Sequence, residues 1–372
     1  MLVTRKGSTS LALAMGAASL LALGACQKAE DLATATVNTP VAAAQGVPTL
    51  VRADGDMDAV LLALQALGPK PYPTLTAQEA RQQPTPADAV KKVLTDRGQD
   101  ASPTPKMARL RSADIPGPGG TIPARVYTPA GRGPFPVVVY YHGGGWVIAD
   151  PRTYDASARA VAEEAKAIVV SVDYRRGPEN RFPAAHDDAF AAYQWARQNA
   201  RSIGGDPARV AVMGESAGGG LAVSTALMAR ERGVALPTHI VSVYPIAGTD
   251  TDTESYRRNE NARPLDKASM EWFFANYLRG PDDRRDPRVN LVDASLRGLP
   301  ATTIVTAEID PLRSDGMLLT ERLRAAGVPV ESMDYAGVTH EFFGMGSVVA
   351  DAKAAQGFVG QRLRQAFAAP GS

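Results

Sequence analysis

Short, continuous runs of apolar and mostly β-branched residues recur along this chain at Val137 to Tyr141, Ile168 to Val172, Val210 to Met213, Ile240 to Tyr244 and Thr303 to Thr306. Between them lie helix-forming stretches, Thr153 to Ala167, Phe182 to Ala200 and Leu221 to Arg232. A strand that is apolar at every position must be covered on both faces. Strands of that kind, alternating with helices, specify a mostly parallel sheet with helices on either side. The region from about Lys106 to Ser372 is long enough for one large α/β domain of this type, and it shows no internal repeat.

One strand-to-helix junction carries Gly214-Glu215-Ser216-Ala217-Gly218, between the run ending at Met213 and a helical run that begins at Gly219. This is the Gly-x-Ser-x-Gly pattern of a nucleophile elbow, a sharp turn that leaves a serine oxygen exposed. Glycine is needed on either side because a side chain there would collide with the neighbouring strand or helix. The pattern alone is weak, and a Gly-rich strand end would also produce it.

Its weight comes from partners elsewhere in the chain. There are 4 histidines, His142, His186, His239 and His340. In α/β-hydrolases the acid and then the histidine follow the serine. That order removes His142 and His186. His239 follows the serine, but the only carboxylate between them is Glu231. His340 remains as the base. Of several aspartates, Asp310 is best placed, shortly after the apolar run Thr302 to Ala307 and before Pro311. The carboxyl end of a strand is where open α/β sheets gather functional groups. The bland alternatives are a loop carboxylate or helix N-cap for Asp310 and a surface-loop histidine for His340. Upstream, His142-Gly143-Gly144-Gly145-Trp146 follows the run Val137 to Tyr141. Successive glycines let backbone N–H groups turn toward a ligand, and with the N–H of Ala217 they supply what an acyl-transfer enzyme needs to hold an oxyanion. His142 is expected to brace this loop and Trp146 to pack.

These residues together resemble the bacterial hormone-sensitive-lipase-like esterases, within the α/β-hydrolase fold. The resemblance runs from roughly Asp56 to the C-terminus. It rests on the His142 to Trp146 run, Asp173-Tyr174-Arg175 with Phe182-Pro183-Ala184-Ala185, Gly214 to Gly219, Asp310-Pro311-Leu312 and His340-Glu341-Phe342. It implies Ser216 as nucleophile, Asp310 as orienting acid and His340 as general base. It also implies an oxyanion hole from Gly143, Gly144, Gly145 and Ala217, with Gly144 and Gly145 the usual pair in the family. The sequence leaves open which glycine N–H groups point inward. Two departures stand out: Glu215 occupies the place where the family commonly has aspartate, and Arg176-Gly177 replaces the family's usual Leu-Ala. The first puts in doubt any hydrogen bond made by the shorter carboxylate. The second is expected to alter a loop beside the pocket.

The N-terminus reads as an address. Arg5 and Lys6 precede an apolar run from Leu11 to Leu23 and then Gly24-Ala25-Cys26, a secretory signal over residues 1–25. The run is far short of the roughly 20 apolar residues that span a bilayer. Cys26 is the only cysteine in the chain and sits where a bacterial lipoprotein signal is lipidated. An exported, lipid-anchored protein, periplasmic or at the cell surface, is therefore expected, with an ordinary cleaved signal as the alternative. No intrachain disulfide is possible, so the fold rests on its core. Residues 26–53 read as a flexible tether. Residues 54–105 read as two cap helices, Asp56 to Leu67 and Ala87 to Leu94, the capping role following from the resemblance. Residues 106–372 form the hydrolase domain. Within it, residues 248–289 carry an aromatic helix around Trp272, Phe273, Phe274 and Tyr277, either a second piece of cap or a surface excursion.

With 40 Lys+Arg against 39 Asp+Glu, no net field favours nucleic acid or acidic substrates. No Cys/His cluster or phosphate-binding glycine loop suggests a metal or nucleotide, so no cofactor is expected. The expectation is a serine carboxylesterase that hydrolyses small-molecule acyl esters through an acyl-enzyme; the short to medium chain length follows from the resemblance. Lactones, amides and thioesters are not excluded. A surface-anchored binding protein on a hydrolase scaffold is the alternative from another class. A homodimer through the sheet edge is an expectation from the resemblance alone.

Overall fold

The computed structural model describes residues 53–369. The expected signal segment, Cys26 and the tether up to residue 52 lie outside the described residues. The strands are β1 (Arg109–Gly117), β2 (Gly120–Thr128), β3 (Phe135–Tyr141), β4 (Ile168–Val172), β5 (Gly205–Glu215), β6 (Ile240–Val243), β7 (Thr302–Ile309) and β8 (Val330–Thr339). They form one 8-stranded sheet in the order β1-β2-β4-β3-β5-β6-β7-β8. From β4 to β8 every pairing is parallel; β1 with β2 and β2 with β4 are antiparallel. The helices are α1 (Gly55–Ala66), α2 (Ala77–Ala80), α3 (Pro86–Asp96), α4 (Asp155–Ala165), α5 (Ala184–Asn199), α6 (Ala217–Glu231), α7 (Glu254–Arg258), α8 (Lys267–Tyr277), α9 (Pro281–Arg285), α10 (Arg313–Ala325) and α11 (Ala350–Ala368).

The period of two along each strand sorts its side chains into two cores. Val137, Val139 and Tyr141 of β3 join Val210 and Val212 of β5 against α5 and α6, with α8 and α10 in the same core. Val138 and Tyr140 of β3 join Ala211 and Met213 of β5 against α4 and α11, with α1 and α3 alongside. This is the expected doubly covered sheet. Helices α4 and α11 approach closely, and a Cβ at Gly360 would fall 2.4 Å from Glu164.

The antiparallel hairpin β1–β2 is an addition to the elements read from sequence. On β1 only Ile115 is buried, and Pro116 and Pro123 sit inside strand spans, where proline argues against a strand. Its apolar alternation, Ile122, Ala124 and Val126, is short and broken by polar neighbours.

Parallel register brings distant residues together at the carboxyl edge. Ile309 of β7 pairs with Thr339 of β8, so the next residues on the two strands are Asp310 and His340. Tyr141 of β3 pairs with Gly214 of β5, which sets the loop beginning at His142 beside the turn at Ser216.

Candidate active site

The serine at position 216 stands between β5 and α6 with φ +56, a left-handed conformation uncommon for a residue with a Cβ and found where surrounding structure enforces it. The surroundings do enforce it. A Cβ at Gly214 would fall 2.1 Å from the Gly218 carbonyl oxygen, and one at Gly218 would fall 2.0 Å from that of Tyr141. The Ser216 N–H donates to the Val243 carbonyl at 2.9 Å, which fixes the elbow to β6.

Ser216 Oγ lies 2.9 Å from His340 Nε2, and His340 Nδ1 lies 2.6 Å from Asp310 Oδ2. All three side chains are buried. The other carboxylate oxygen of Asp310 accepts from the Leu312 N–H at 2.8 Å, which fixes the rotation of the acid. An acceptor at Nδ1 places the imidazole proton there and leaves the Nε2 lone pair toward Oγ. A group so placed can take the serine proton and return it to a leaving group.

Electrostatics separate this histidine from the other three. Burial pushes His142 and His186 down to about 3 and His239 to about 4, so each is a neutral structural imidazole. His142 stacks on Tyr174 at 4.2 Å, and its Nδ1 lies 2.8 Å from the Gly143 carbonyl. Burial alone would lower His340 too, but the Asp310 carboxylate at Nδ1, with Glu341 and Glu215 nearby, outweighs it and the net shift is upward.

Beside Tyr244 and the His340 ring lies a buried acid, Glu215, which in the sequence stands out only as a departure. Glu215 accepts hydrogen bonds from the hydroxyls of Tyr140 and Tyr244, and the Tyr244 ring packs 4.6 Å from the His340 ring. Burial and the neighbouring Glu341 charge push Glu215 up to about 7, against the two tyrosine donors. The longer side chain therefore reaches across the strand ends instead of bonding the glycine loop. Tyr140 gave no separate signal, since it is one more member of an apolar run.

The glycine loop is held from outside. The Gly177 N–H donates to the Trp146 carbonyl at 2.9 Å, Arg81 Nε to the Val147 carbonyl at 2.9 Å and Arg176 Nη1 to the Ala149 carbonyl. The second sequence departure thus has a physical role: Arg176 supplies a donor, and a Cβ at Gly177 would fall 2.7 Å from the Asn276 carbonyl oxygen. Gly144 (φ +94) and Gly145 (φ +58) line the cleft beside Ser216, Ala217 opens α6 directly after it, and Gly143 is not among the lining residues. The Gly143 carbonyl instead accepts from the Tyr174 hydroxyl at 3.3 Å. Trp146 is buried and stacks on Tyr277 at 4.9 Å.

The cleft has a volume of about 80 Å³. Its walls include Tyr72, Arg81, Ile148, Leu265, Met270 and Phe273. The N-terminal contribution comes from the segment between α1 and α3, where Tyr72 stacks on Trp272 at 5.7 Å. Arg81 also binds Glu179 with both outer nitrogens, at 2.9 and 2.6 Å, and the Gly177 carbonyl at 2.7 Å.

The chain is similar to known proteins of the α/β-hydrolase fold. The sequence profile of a family described as having the alpha/beta hydrolase fold matches residues 138–344. Carboxylesterase NlhH of Mycobacterium tuberculosis is 44% identical over 241 residues, 63% of this chain and 76% of that protein. Carboxylic ester hydrolase LipN of the same organism is 40% identical over 254 residues, 66% of this chain and 68% of that one. Among solved structures, the ester hydrolase EH1AB1 from the metagenome of Lake Arreo, complexed with a derivative of bipyridine phosphonate, superposes with a TM-score of 0.77. It is 32% identical, over 85% of this chain and 100% of its own.

Proposed function

This chain belongs to the hormone-sensitive-lipase-like esterases of the α/β-hydrolase superfamily and is a carboxylic ester hydrolase, and on that premise we propose that Ser216, His340 and Asp310 are its catalytic triad, acting on short- to medium-chain acyl esters. One observation carries the proposal: the unbroken line of hydrogen bonds from Ser216 Oγ through the His340 ring to Asp310, at 2.9 and 2.6 Å. Ser216 Oγ attacks the ester carbonyl carbon as Nε2 takes its proton, and Asp310 holds the imidazolium that forms. The oxyanion of the tetrahedral intermediate is received by backbone N–H groups of Gly144, Gly145 and Ala217. The imidazolium then protonates the departing alcohol, leaving an acyl group on Oγ. Water, deprotonated by Nε2, repeats the sequence and frees the acid. The small cleft supports the short acyl preference, and the segment around Tyr72 together with α8 forms the cap over the site.

Ser216→Ala tests this on a panel of nitrophenyl esters from acetate to decanoate. Turnover of the butyrate should fall on the order of a million-fold, and wild-type rates should decline toward the longer chains. Retention of more than a few per cent of activity would assign the chemistry to another residue. We further propose that the protein is exported and anchored through a lipid on Cys26. Cys26→Ser should move it from the membrane to the soluble fraction, and unchanged partitioning would rule out the anchor.

A further inference from the structure

Glu341, the residue after the proposed base, has φ +71. Glycine adopts that conformation without strain, whereas a residue with a Cβ does so at a cost. Strain of this kind persists where neighbours hold it, and it clusters at functional sites. Here the holding contact is the Tyr154 hydroxyl, which donates to Glu341 Oε1 at 2.5 Å. The same oxygen lies 3.9 Å from His340 Nε2, and Glu341 lines the cleft together with Ser216, Gly144 and Gly145. Among the described residues no hydrogen bond reaches its Oε2. A strained backbone thus presents a carboxyl group, with one oxygen held by Tyr154, to the floor of a mainly apolar cleft.

Its position selects one half of the ester. Nε2 is the atom that protonates the departing alcohol, so a carboxyl group beside Nε2 faces the alcohol side of the bound substrate rather than the acyl side. We propose that Glu341 is a specificity-determining residue that accepts a hydrogen bond from a hydroxyl on the alcohol half of the ester, so that monoesters of diols and polyols are preferred over esters of simple alkanols. The inference rests on the triad reading above.

Two features select a hydroxyl over an ammonium group. A cation bound to Glu341 would stand beside His340 at the moment that ring becomes positive, and the like charges would oppose proton transfer. Burial also raises the Glu341 carboxyl above its ordinary value, which weakens its hold on a cation while leaving it able to bond a neutral hydroxyl.

The test compares 2-hydroxyethyl butyrate with propyl butyrate, two esters of nearly equal size that differ at one terminal group. For each enzyme the ratio of kcat/KM values is divided by the ratio of the hydroxide-catalysed rates, which removes intrinsic leaving-group reactivity. Wild type should favour the hydroxyethyl ester about tenfold, the size of one hydrogen bond to a charged or strongly polar acceptor. Glu341→Gly should bring the corrected ratio to about one, and Glu341→Gln, which keeps an acceptor oxygen, should retain part of it. Glycine relieves the backbone strain but leaves the Tyr154 hydroxyl without its acceptor, so the melting temperature of Glu341→Gly serves only to show that the variant is folded. A corrected ratio near one in wild type, or one unchanged in Glu341→Gly, would overturn the proposal, whatever the melting temperature. Failure of the triad reading shows separately, as persistent hydrolysis of propyl butyrate by Ser216→Ala, because that ester offers Glu341 no hydroxyl.

Discussion

Replacing Glu215 with glutamine should change how stability depends on pH, by an amount set by the burial of this side chain. Glu215 is fully buried, and its carboxyl is held at about 7 against an ordinary 4.5. An acid whose value is raised on folding binds its proton more tightly in the native state. Its contribution is therefore fully present below pH 4.5 and is lost as pH rises through about 7. At ~1.4 kcal/mol per pH unit of displacement, ionising Glu215 makes folding less favourable by about 3 kcal/mol. Glutamine cannot ionise and nearly matches the shape. Its amide oxygen keeps one tyrosine donor, and its NH₂ can donate to the other if that hydroxyl turns round. The assay is denaturant unfolding of both proteins at pH 4.5 and pH 8. Asp315, also pushed up to about 7 by burial, titrates in the same window, but it is common to both proteins and cancels in the difference. Glu215→Gln should gain about 3 kcal/mol relative to wild type between the two pH values. A relative change under about 1 kcal/mol would mean that Glu215 is not a strained buried acid, and would refute the reasoning.

Two further outcomes follow from the same contacts. Arg81→Met keeps the aliphatic stem but removes the donors to Val147, Gly177 and Glu179; thermal and denaturant unfolding should show a loss of about 1–3 kcal/mol, and kcat/KM for nitrophenyl butyrate should fall about tenfold as the glycine loop loosens. In Asp310→Asn the amide can present N–H to Nδ1 and reverse the imidazole tautomer, so kcat should fall by on the order of 10⁴ with the melting temperature nearly unchanged; a loss below tenfold would remove Asp310 from the triad.

The parallel core of the fold was legible because each central strand is apolar on both faces. The span Ile168 to Val172 read from the sequence is the observed β4, and the helical runs ending at Ala167, Ala200 and Arg232 fall within a few residues of α4, α5 and α6. The edge was not legible, for a physical reason: β1 buries only Ile115 and shares its hairpin with prolines and a glycine turn, so neither periodicity nor propensity marks it. Helix α11 did carry a signal, with Ala352, Ala355, Val359, Leu363 and Phe367 on one face, and could have been read.

At the site, Ser216, Asp310 and His340 could be picked out because chain order leaves few combinations, and the structure brings those three side chains together. Glu215 was visible as an anomaly, but its partners Tyr140 and Tyr244 were hidden in apolar runs, Tyr140 within β3 and Tyr244 directly after β6. Arg176 was visible as a departure, but its acceptor on Ala149 was not; the role of Arg81 depends on contacts across the fold, such as that with Glu179, and nothing local in the sequence announces it.

Activation of one serine by one histidine can be read with a fluorophosphonate probe, followed by peptide mapping of the adduct by mass spectrometry. Wild-type protein should carry a single phosphonyl group on Ser216, and His340→Asn, folded by circular dichroism, should label at least a hundredfold more slowly. Labelling of a different serine, or an equal rate in His340→Asn, would contradict the proton path from Oγ to Nε2.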